Sequence, residues 1–432
     1  MVSSIDLNNC DIINNEKSDK MDKLEKLQKK YAKVILDTCL KVKKNQKLFI
    51  SANSEVIKFV RILSNVAYEL GIKDIYYDLT DQYLKHDALK NLDVKDLKKM
   101  QFWNKEKWNE YASDGAAFVM LVTENPGLMK DIDPKKLSDL TMYSYETRKK
   151  FDELRDKSMV PWCIAGVPSL LWAQEVFPKS KTPEEDLWNE IFKICQITKS
   201  NPEKVIEEKI NNLSRRCDKL NSYKFKTLEY TNSLGTDFTI ELPDNHLWAS
   251  GKSKLVNKEE VLVNFPTEEV FTSPTNNSAS GIVYSAKPLC YQDNLIEDFW
   301  IKFDKGVAVD CKAKKGEKIL KQLISSCPNS NKLGEVALVE YNSPISESKI
   351  IFYETLYDEN AACHLALGAS FPECIKNGPK MSKEELKKNK LNDCNNHVDF
   401  MIGTEDLNIV GTTVNGEKIK IFENGNFTKE FK

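Results

Sequence analysis

The sequence lacks the features that mark membrane and nucleic-acid-binding proteins. No apolar run approaches the roughly 20 residues that cross a bilayer, and the first 20 residues lack the apolar core of a signal peptide. The formal net charge is only −2, although 30% of the residues are charged. Because a phosphate-binding surface normally gives a basic excess, we expect neither nucleic acid nor a membrane as the partner of this chain.

Cysteine and glycine patterns argue against two further kinds of site. The 11 cysteines include no C-x-x-C pair, and Cys39, Cys163 and Cys195 lie in apolar segments typical of small core residues. A scattered, odd number of thiols is typical of a reducing compartment, so we expect a cytoplasmic protein. No glycine-rich phosphate loop follows a predicted strand, which leaves a nucleotide site without support.

The length of 432 residues predicts two domains. A polar extension at residues 1–20 is expected to be disordered. Residues 21–200 alternate predicted strands and helices, which indicates an α/β N-terminal domain with a largely parallel sheet. Its predicted strands are 47–51, 74–79, 116–122 and 160–164. Residues 201–432 change to strands and turns, so we expect a β-rich α+β C-terminal domain.

Histidine is scarce, and its placement is the strongest indication of chemistry. Only four histidines occur, and two of them, His364 and His397, lie in the last third of the chain. In a strand, residues i and i+2 face the same side, so His397 and Asp399 would project together. Glu268-Glu269 and Glu335 add carboxylates in apolar surroundings. Imidazole and carboxylate are ligands of divalent transition metals, and this combination favours a hydrolase with two metal ions.

Each of these groups also has a simpler interpretation. A single histidine in an apolar stretch is more often a hydrogen-bonded core residue than a ligand, and Glu268 could simply pair with a lysine. Cys363 precedes His364, but chain neighbours rarely face each other as a nucleophile and its base must. A thiol ligand at Cys363 or Cys394 is less favoured than the carboxylates.

Four segments of the C-terminal half resemble the thermophilic aminopeptidase family, which includes aminopeptidases T and S. The segments follow the family's order and spacing, and weaker similarity extends through the chain from about residue 21. They are NFPTEEVFTSP at 264–274, LGEVALV at 333–339 with SPIS at 343–346, DENAACHLALG at 358–368, and HVDFMIG at 397–403. The resemblance implies a cytosolic metallo-aminopeptidase that removes N-terminal residues from short peptides.

The resemblance also implies a site and an assembly. The implied metal ligands of the C-terminal domain are Glu269, Glu335, His364, His397 and Asp399. They would hold two divalent ions per subunit, of zinc, cobalt or manganese, and which carboxylate bridges the ions is left open. Glu268 is the candidate base, ligand-orienting residue or partner of the substrate amine. Family members form dimers that enclose their active sites, so we expect a homodimer acting on short peptides with a free N-terminus.

One position departs from the family pattern. The family has a tyrosine seven residues after the first histidine, and this chain has Phe371 there. Phenylalanine fills the same space but offers neither a ligand atom nor a hydrogen-bond donor. Two alternatives therefore stay open: a metal-binding protein that is catalytically weak or silent, and another dinuclear amidohydrolase such as a deacylase.

Overall fold

The computed structural model describes residues 22–99, 102–292 and 294–432. The expected disorder of residues 1–20 lies outside these residues. The first helix spans 22–33 and continues as a π-helix at Val34–Cys39, whose Val34, Ile35, Leu36 and Cys39 are buried. This apolar face follows the helical spacing of the sequence and anchors the start of the chain in the core.

Four strands of the first half form a parallel sheet, as predicted. They are β1 (Lys47–Asn53), β2 (Asp74–Thr80), β3 (Ala117–Val122) and β4 (Trp162–Gly166). Every pairing among them is parallel, and β1 and β3 are buried over most of their length, as expected of a sheet covered on both faces.

Helices cover this sheet and lead into the second half. With α1 at 22–33, they are α2 (Ile57–Glu69), α3 (Gln82–Asn91), α4 (Val94–Leu97), α5 (Phe102–Ser113), α6 (Pro134–Thr147), α7 (Lys149–Asp156), α8 (Leu170–Val176), α9 (Pro183–Ile194) and α10 (Pro202–Tyr223). Asn201 caps α10 through its side chain, with proline at the first helical position, as the sequence pattern predicts.

The second half is dominated by short strands. They are β5 (Phe225–Thr231), β6 (Asp237–Glu241), β7 (Ala249–Ser250), β8 (Lys252–Lys254), β9 (Glu260–Leu262), β10 (Asn264–Phe265), β11 (Val270–Thr272), β12 (Ser280–Tyr284), β13 (Leu289–Tyr291), β14 (Asn294–Asp304), β15 (Val307–Lys315), β16 (Leu333–Leu338), β17 (His364–Gly368), β18 (His397–Met401), β19 (Asn408–Thr413), β20 (Lys418–Glu423) and β21 (Asn426–Phe427). Its helices are α11 (Glu317–Ile324), α12 (Pro344–Ser348), α13 (Thr355–Asp358) and α14 (Lys383–Lys388), with 3-10 turns at Glu359–Ala361, Pro372–Cys374, Gly378–Lys380 and Lys429–Phe431. The first half has one further 3-10 turn among its described residues, at Ser54–Val56.

Two antiparallel sheets organise these strands. One has the order β18-β17-β16-β11-β7, and the other runs β13-β14-β12-β6-β5-β19-β20-β21 with β15 beside β14. Strands β8 and β9 form a separate hairpin. The predicted fold class, a parallel α/β half followed by a β-rich half, is therefore confirmed.

The two halves are joined by strand pairing and by buried side chains. Strand β10 extends the first sheet by pairing with β4 in parallel. The side chain of Tyr357 packs directly over Gly166 at the end of β4, where a Cβ atom would lie 2.3 Å from its hydroxyl oxygen. The Trp172 indole donates a hydrogen bond to the Phe352 carbonyl. These contacts fix the segment around α13 against the first sheet. The domain boundary expected after residue 200 stays a prediction.

Candidate metal centre

Strand register brings four of the five predicted ligands to one face of a sheet. Glu335 on β16 lies opposite Ala366 on β17, which in turn lies opposite Asp399 on β18. Residues directly across a ladder share a face, as do residues two apart in a strand. His364 is two residues before Ala366, and His397 is two before Asp399, so all four side chains project from the same side.

Glu269 reaches this face from the neighbouring strand. It precedes β11 and lies two residues before Phe271, which is opposite Ala337 on β16. Ala337 is opposite His364, so the same alternation places Glu269 beside these ligands. The sheet order β18-β17-β16-β11 thus assembles ligands that are up to 130 positions apart in the sequence, from residue 269 to residue 399.

The five side chains form two groups that share Glu335. One group is Glu269, Glu335 and His364, and the other is Glu335, His397 and Asp399; the ligand atoms within each lie within 4.8 Å of one another. His364 Nε2 is 3.1 Å from a Glu269 oxygen. His397 Nε2 is 2.9 Å from a Glu335 oxygen and 3.2 Å from Asp399 Oδ1. The sequence left the shared carboxylate open, and the geometry singles out Glu335.

Both imidazoles are oriented by backbone carbonyls. His364 Nδ1 donates to the Ala362 carbonyl at 3.1 Å, and His397 Nδ1 donates to the Ala369 carbonyl at 2.8 Å. A proton held on Nδ1 in this way leaves Nε2 to act as the ligand atom, which is the usual arrangement around protein-bound metals.

The electrostatics of the cluster fit a divalent metal. Burial raises the pKa of Glu335 to about 7. Burial opposes charge on His364, yet its hydrogen bond with Glu269 raises the pKa of this imidazole to about 9. Asp399 Oδ1 is buried without a well-oriented hydrogen bond. Buried carboxylates with an unsatisfied oxygen, beside imidazole nitrogens, form a donor set suited to zinc, cobalt or manganese.

A fourth carboxylate, Glu359, was not among the predicted ligands. It lies in the 3-10 turn Glu359–Ala361 and is 8% exposed. Burial raises the pKa of Glu359 well above its usual range, and the nearby carboxylates of Asp399, Glu269 and Glu335 raise it further. Its signal in the sequence is its position inside the family-like segment 358–368, because no strand spacing relates it to the other ligands.

The structure does not bring the Glu268 side chain into this cluster. Its carboxylate contacts the Lys209 ammonium of α10, and its backbone N–H donates to Asn360 Oδ1 at 2.7 Å. Adjacent residues of an extended segment face opposite sides, so Glu268 points away when Glu269 points in. Burial raises the pKa of Glu268, although Lys209 opposes this shift. The contact with Lys209 agrees with the simpler interpretation of the sequence, in which Glu268 pairs with a lysine.

Replacing Lys209 with methionine should destabilise the protein while leaving catalysis intact. The change leaves the buried Glu268 carboxylate without its cation, and we expect a loss of about 2 kcal/mol, with Glu268→Gln in the same chain recovering most of it. Thermal unfolding measures both effects. The control is Lys204→Met on the same helix, whose ion pair with Glu208 is exposed and should contribute less than about 0.5 kcal/mol. A double variant that binds metal but has lost turnover would restore a catalytic role for Glu268.

Phe371 lies directly against the cluster. Its ring centroid is 4.6 Å from that of His397 and 5.7 Å from that of Phe271, against which it packs edge to face. Its backbone N–H donates to Ser273 Oγ at 3.0 Å, which fixes the start of the turn. The ring that replaces the family tyrosine is therefore held beside a predicted metal ligand.

A cavity of about 390 Å³ opens beside the cluster. His397 and Asp399 line one side of it, and Tyr291, Tyr353 and Glu354 line others. The volume is that of a small-molecule site, enough for a few side chains but not for a folded protein.

A buried group of imidazoles and carboxylates beside a small cavity defines the class of the protein as a metal-dependent enzyme, and comparisons with known proteins identify the family. The chain belongs to the thermophilic metalloprotease (M29) family, whose sequence pattern matches residues 24–427. The prediction of a metal-dependent peptidase, made from the sequence, is thereby confirmed.

Characterised relatives are aminopeptidases. Aminopeptidase AmpS of Bacillus subtilis (strain 168) is 40% identical over 400 residues, covering 92% of this chain and 97% of the relative. Aminopeptidase 2 of Geobacillus stearothermophilus is 37% identical, covering 93% and 97%. The solved structure of wild-type AmpT from Thermus thermophilus matches with a TM-score of 0.85 and 29% identity, covering 94% of this chain and 98% of that one. Among the residues described here, no helix is long and apolar enough to cross a membrane.

Proposed function

We propose that this chain removes N-terminal residues from short peptides by means of two divalent metal ions. The observation that carries this proposal is the shared position of Glu335. It belongs to both groups of ligand atoms, as a carboxylate that bridges two ions must. Glu269 and His364 complete one site, and His397 and Asp399 complete the other.

The metal pair, when bound, supplies Lewis acidity toward the scissile carbonyl and activates water at neutral pH. Zinc, cobalt and manganese all suit this donor set. Glu359 joins the set as a fourth carboxylate, since, besides burial, the nearby charge of Asp399 raises the pKa of Glu359. Four carboxylates would balance the four positive charges of two divalent ions.

Three further features support the proposed substrate, assembly and location. The cavity of about 390 Å³ admits a short peptide end. Phe102 and Trp103 at the start of α5 are 75% and 63% exposed, and such an apolar surface is typical of an interface and supports the proposed homodimer. None of the ten described cysteines forms a disulfide, in keeping with the proposed cytoplasmic location.

Hydrolysis of leucyl-p-nitroanilide tests the proposed function. Chelation should abolish the release of nitroaniline, and adding back zinc, cobalt or manganese should restore it. An N-acetylated leucyl-p-nitroanilide should be a poor substrate. Preference for the blocked substrate would contradict the aminopeptidase proposal in favour of a deacylase. No release from either substrate by the metal-loaded protein would favour a silent family member.

A further inference from the structure

A second buried carboxylate, Glu354, faces the same cavity as the metal cluster. It directly precedes α13 and is 8% exposed. Its Oε2 atom is buried and has no hydrogen-bond partner, and no lysine or arginine among the described residues forms an ion pair with it. It lines the cavity together with His397 and Asp399. An unsatisfied buried carboxylate oxygen indicates a site for a cation or a strong donor.

Glu124 brings a further carboxylate to this cavity from the first half of the chain. It follows β3, at the carboxyl end of the parallel sheet, where ligands commonly bind in α/β proteins. Burial raises the pKa of Glu354 well above its usual range, and the charge of Glu124 raises it further. The described residues that line the cavity with Glu354 include no lysine or arginine.

The backbone holds Glu354 in a fixed position. Tyr353 adopts a left-handed φ of +56°, which is uncommon for a residue other than glycine and requires support from its surroundings. Two hydrogen bonds of the neighbouring Phe352 backbone give that support. Its N–H donates to Asp358 Oδ1 at 2.8 Å, and its carbonyl accepts from the Trp172 indole N–H. Because this segment is held in place, the Glu354 carboxylate is already positioned before a ligand binds. Binding then costs less conformational entropy.

Charge distinguishes Glu354 from the proposed metal ligands. Glu269, Glu335, Glu359 and Asp399 together would balance two divalent ions, so Glu354 remains as an additional carboxyl group at the cavity wall, and a bound cation would favour its charged form. The cation that an aminopeptidase substrate brings is its α-ammonium group. The nitrogen of this group is two bonds, about 2.5 Å, from the scissile carbonyl carbon. Its binding site must therefore share a cavity with the metal centre, as Glu354 does.

We propose that Glu354, assisted by Glu124, binds the α-ammonium group of the substrate and so selects peptides with a free N-terminus. This inference rests on the proposed function and names the residue that recognises the amine, a role that the sequence had suggested for Glu268. The carboxylate positions the first residue of the peptide so that its carbonyl lies at the side of the cavity formed by His397 and Asp399.

The test compares two substrates that differ only in the amine: leucyl-p-nitroanilide and 4-methylpentanoyl-p-nitroanilide. Glu354→Gln keeps the shape of the side chain but removes its charge. We expect kcat/KM for the amine substrate to fall about 50-fold, mainly through KM, while the value for the amine-free substrate changes less than about threefold. The inhibition constant of 3-methylbutylamine should rise about tenfold, and that of 3-methylbutanol should not change.

Controls separate recognition from folding. Glu373→Gln removes a half-buried carboxylate that does not line the cavity and should keep the wild-type preference for the amine substrate. Metal content and thermal unfolding temperature are measured for each variant. If Glu354→Gln fails to fold, the same two substrates are compared with the Glu124→Gln variant. Its kcat/KM for the amine substrate should also fall, and its kcat/KM for the amine-free substrate should change little.

The outcomes distinguish this inference from the proposed function. An active wild type whose Glu354→Gln variant keeps the full preference for the amine would overturn the inference and leave the proposed function standing. A wild type without metal-dependent release would overturn the proposed function. In that case the affinity of the wild type and of Glu354→Gln for 3-methylbutylamine is measured by calorimetry. Weaker binding to the variant than to the wild type would support the inference. Equal binding to both proteins, or no binding to the wild type, would overturn it.

Discussion

Replacing Glu335 with glutamine should abolish measurable aminopeptidase activity and reduce metal content. Glu335 is the one side chain shared by both groups of ligand atoms among the described residues. If Glu335 bridges two ions as proposed, its substitution would remove a negative charge and a ligand oxygen from both metal sites at once. We expect kcat/KM to fall by at least about a thousandfold, which corresponds to about 4 kcal/mol of lost transition-state stabilisation.

Elemental analysis and kinetics of the same preparation measure both parts of this prediction. The matched control is Glu340→Gln, which changes a carboxylate two residues beyond the same strand. Glu340 pairs with Arg216 at 2.6 Å and lies outside both groups, so its loss should leave turnover and metal content near the wild-type values. A Glu335→Gln enzyme that retains two ions and normal turnover would show that Glu335 does not bridge.

Replacing Phe371 with tyrosine should increase turnover. The ring lies 4.6 Å from His397 between centroids, so a phenol there would add a hydrogen-bond donor at the metal centre. A donor that stabilises a developing oxyanion contributes about 3 kcal/mol, and we expect kcat to rise by up to about a hundredfold. The present chain is then an active enzyme that turns over more slowly than a tyrosine-containing relative.

The comparison requires a variant that changes the ring without adding a donor. Phe371→Leu serves this purpose, because it removes packing against Phe271 and His397 but supplies no hydroxyl. Its kcat should stay at or below that of the wild type. Equal turnover of wild type and Phe371→Tyr, with equal metal content, would rule out the proposed effect of the missing phenol.

Much of the first half of the fold was predictable because its central strands β1 and β3 are largely apolar and buried. The strand predicted at 116–122 is observed as β3, and that at 47–51 as the start of β1, since continuous apolar runs between helical patterns indicate buried parallel strands. The joining of the halves was not predictable. Strand β10 has two residues, too few to carry a period, and its pairing with β4 depends on contacts distant in sequence.

The candidate site, like the fold, was predictable only in part. Alternation along a strand predicted that His397 and Asp399 project together, and the register places both on the face that carries Glu335. Alternation also separates Glu268 from Glu269, but it cannot tell which of them faces inward. Glu354 and Glu359 escaped notice because both lie around a short helical turn, where no spacing relates them to the strands.

The most direct test of the central claim is the location of the metal ions by anomalous X-ray scattering from crystals of the zinc-loaded protein. We expect two ions about 3.5–4 Å apart, with Glu335 between them. Glu269 and His364 should coordinate one ion, and His397 and Asp399 the other. A single ion, or a pair that does not contact Glu335, would show that Glu335 does not join two metal sites.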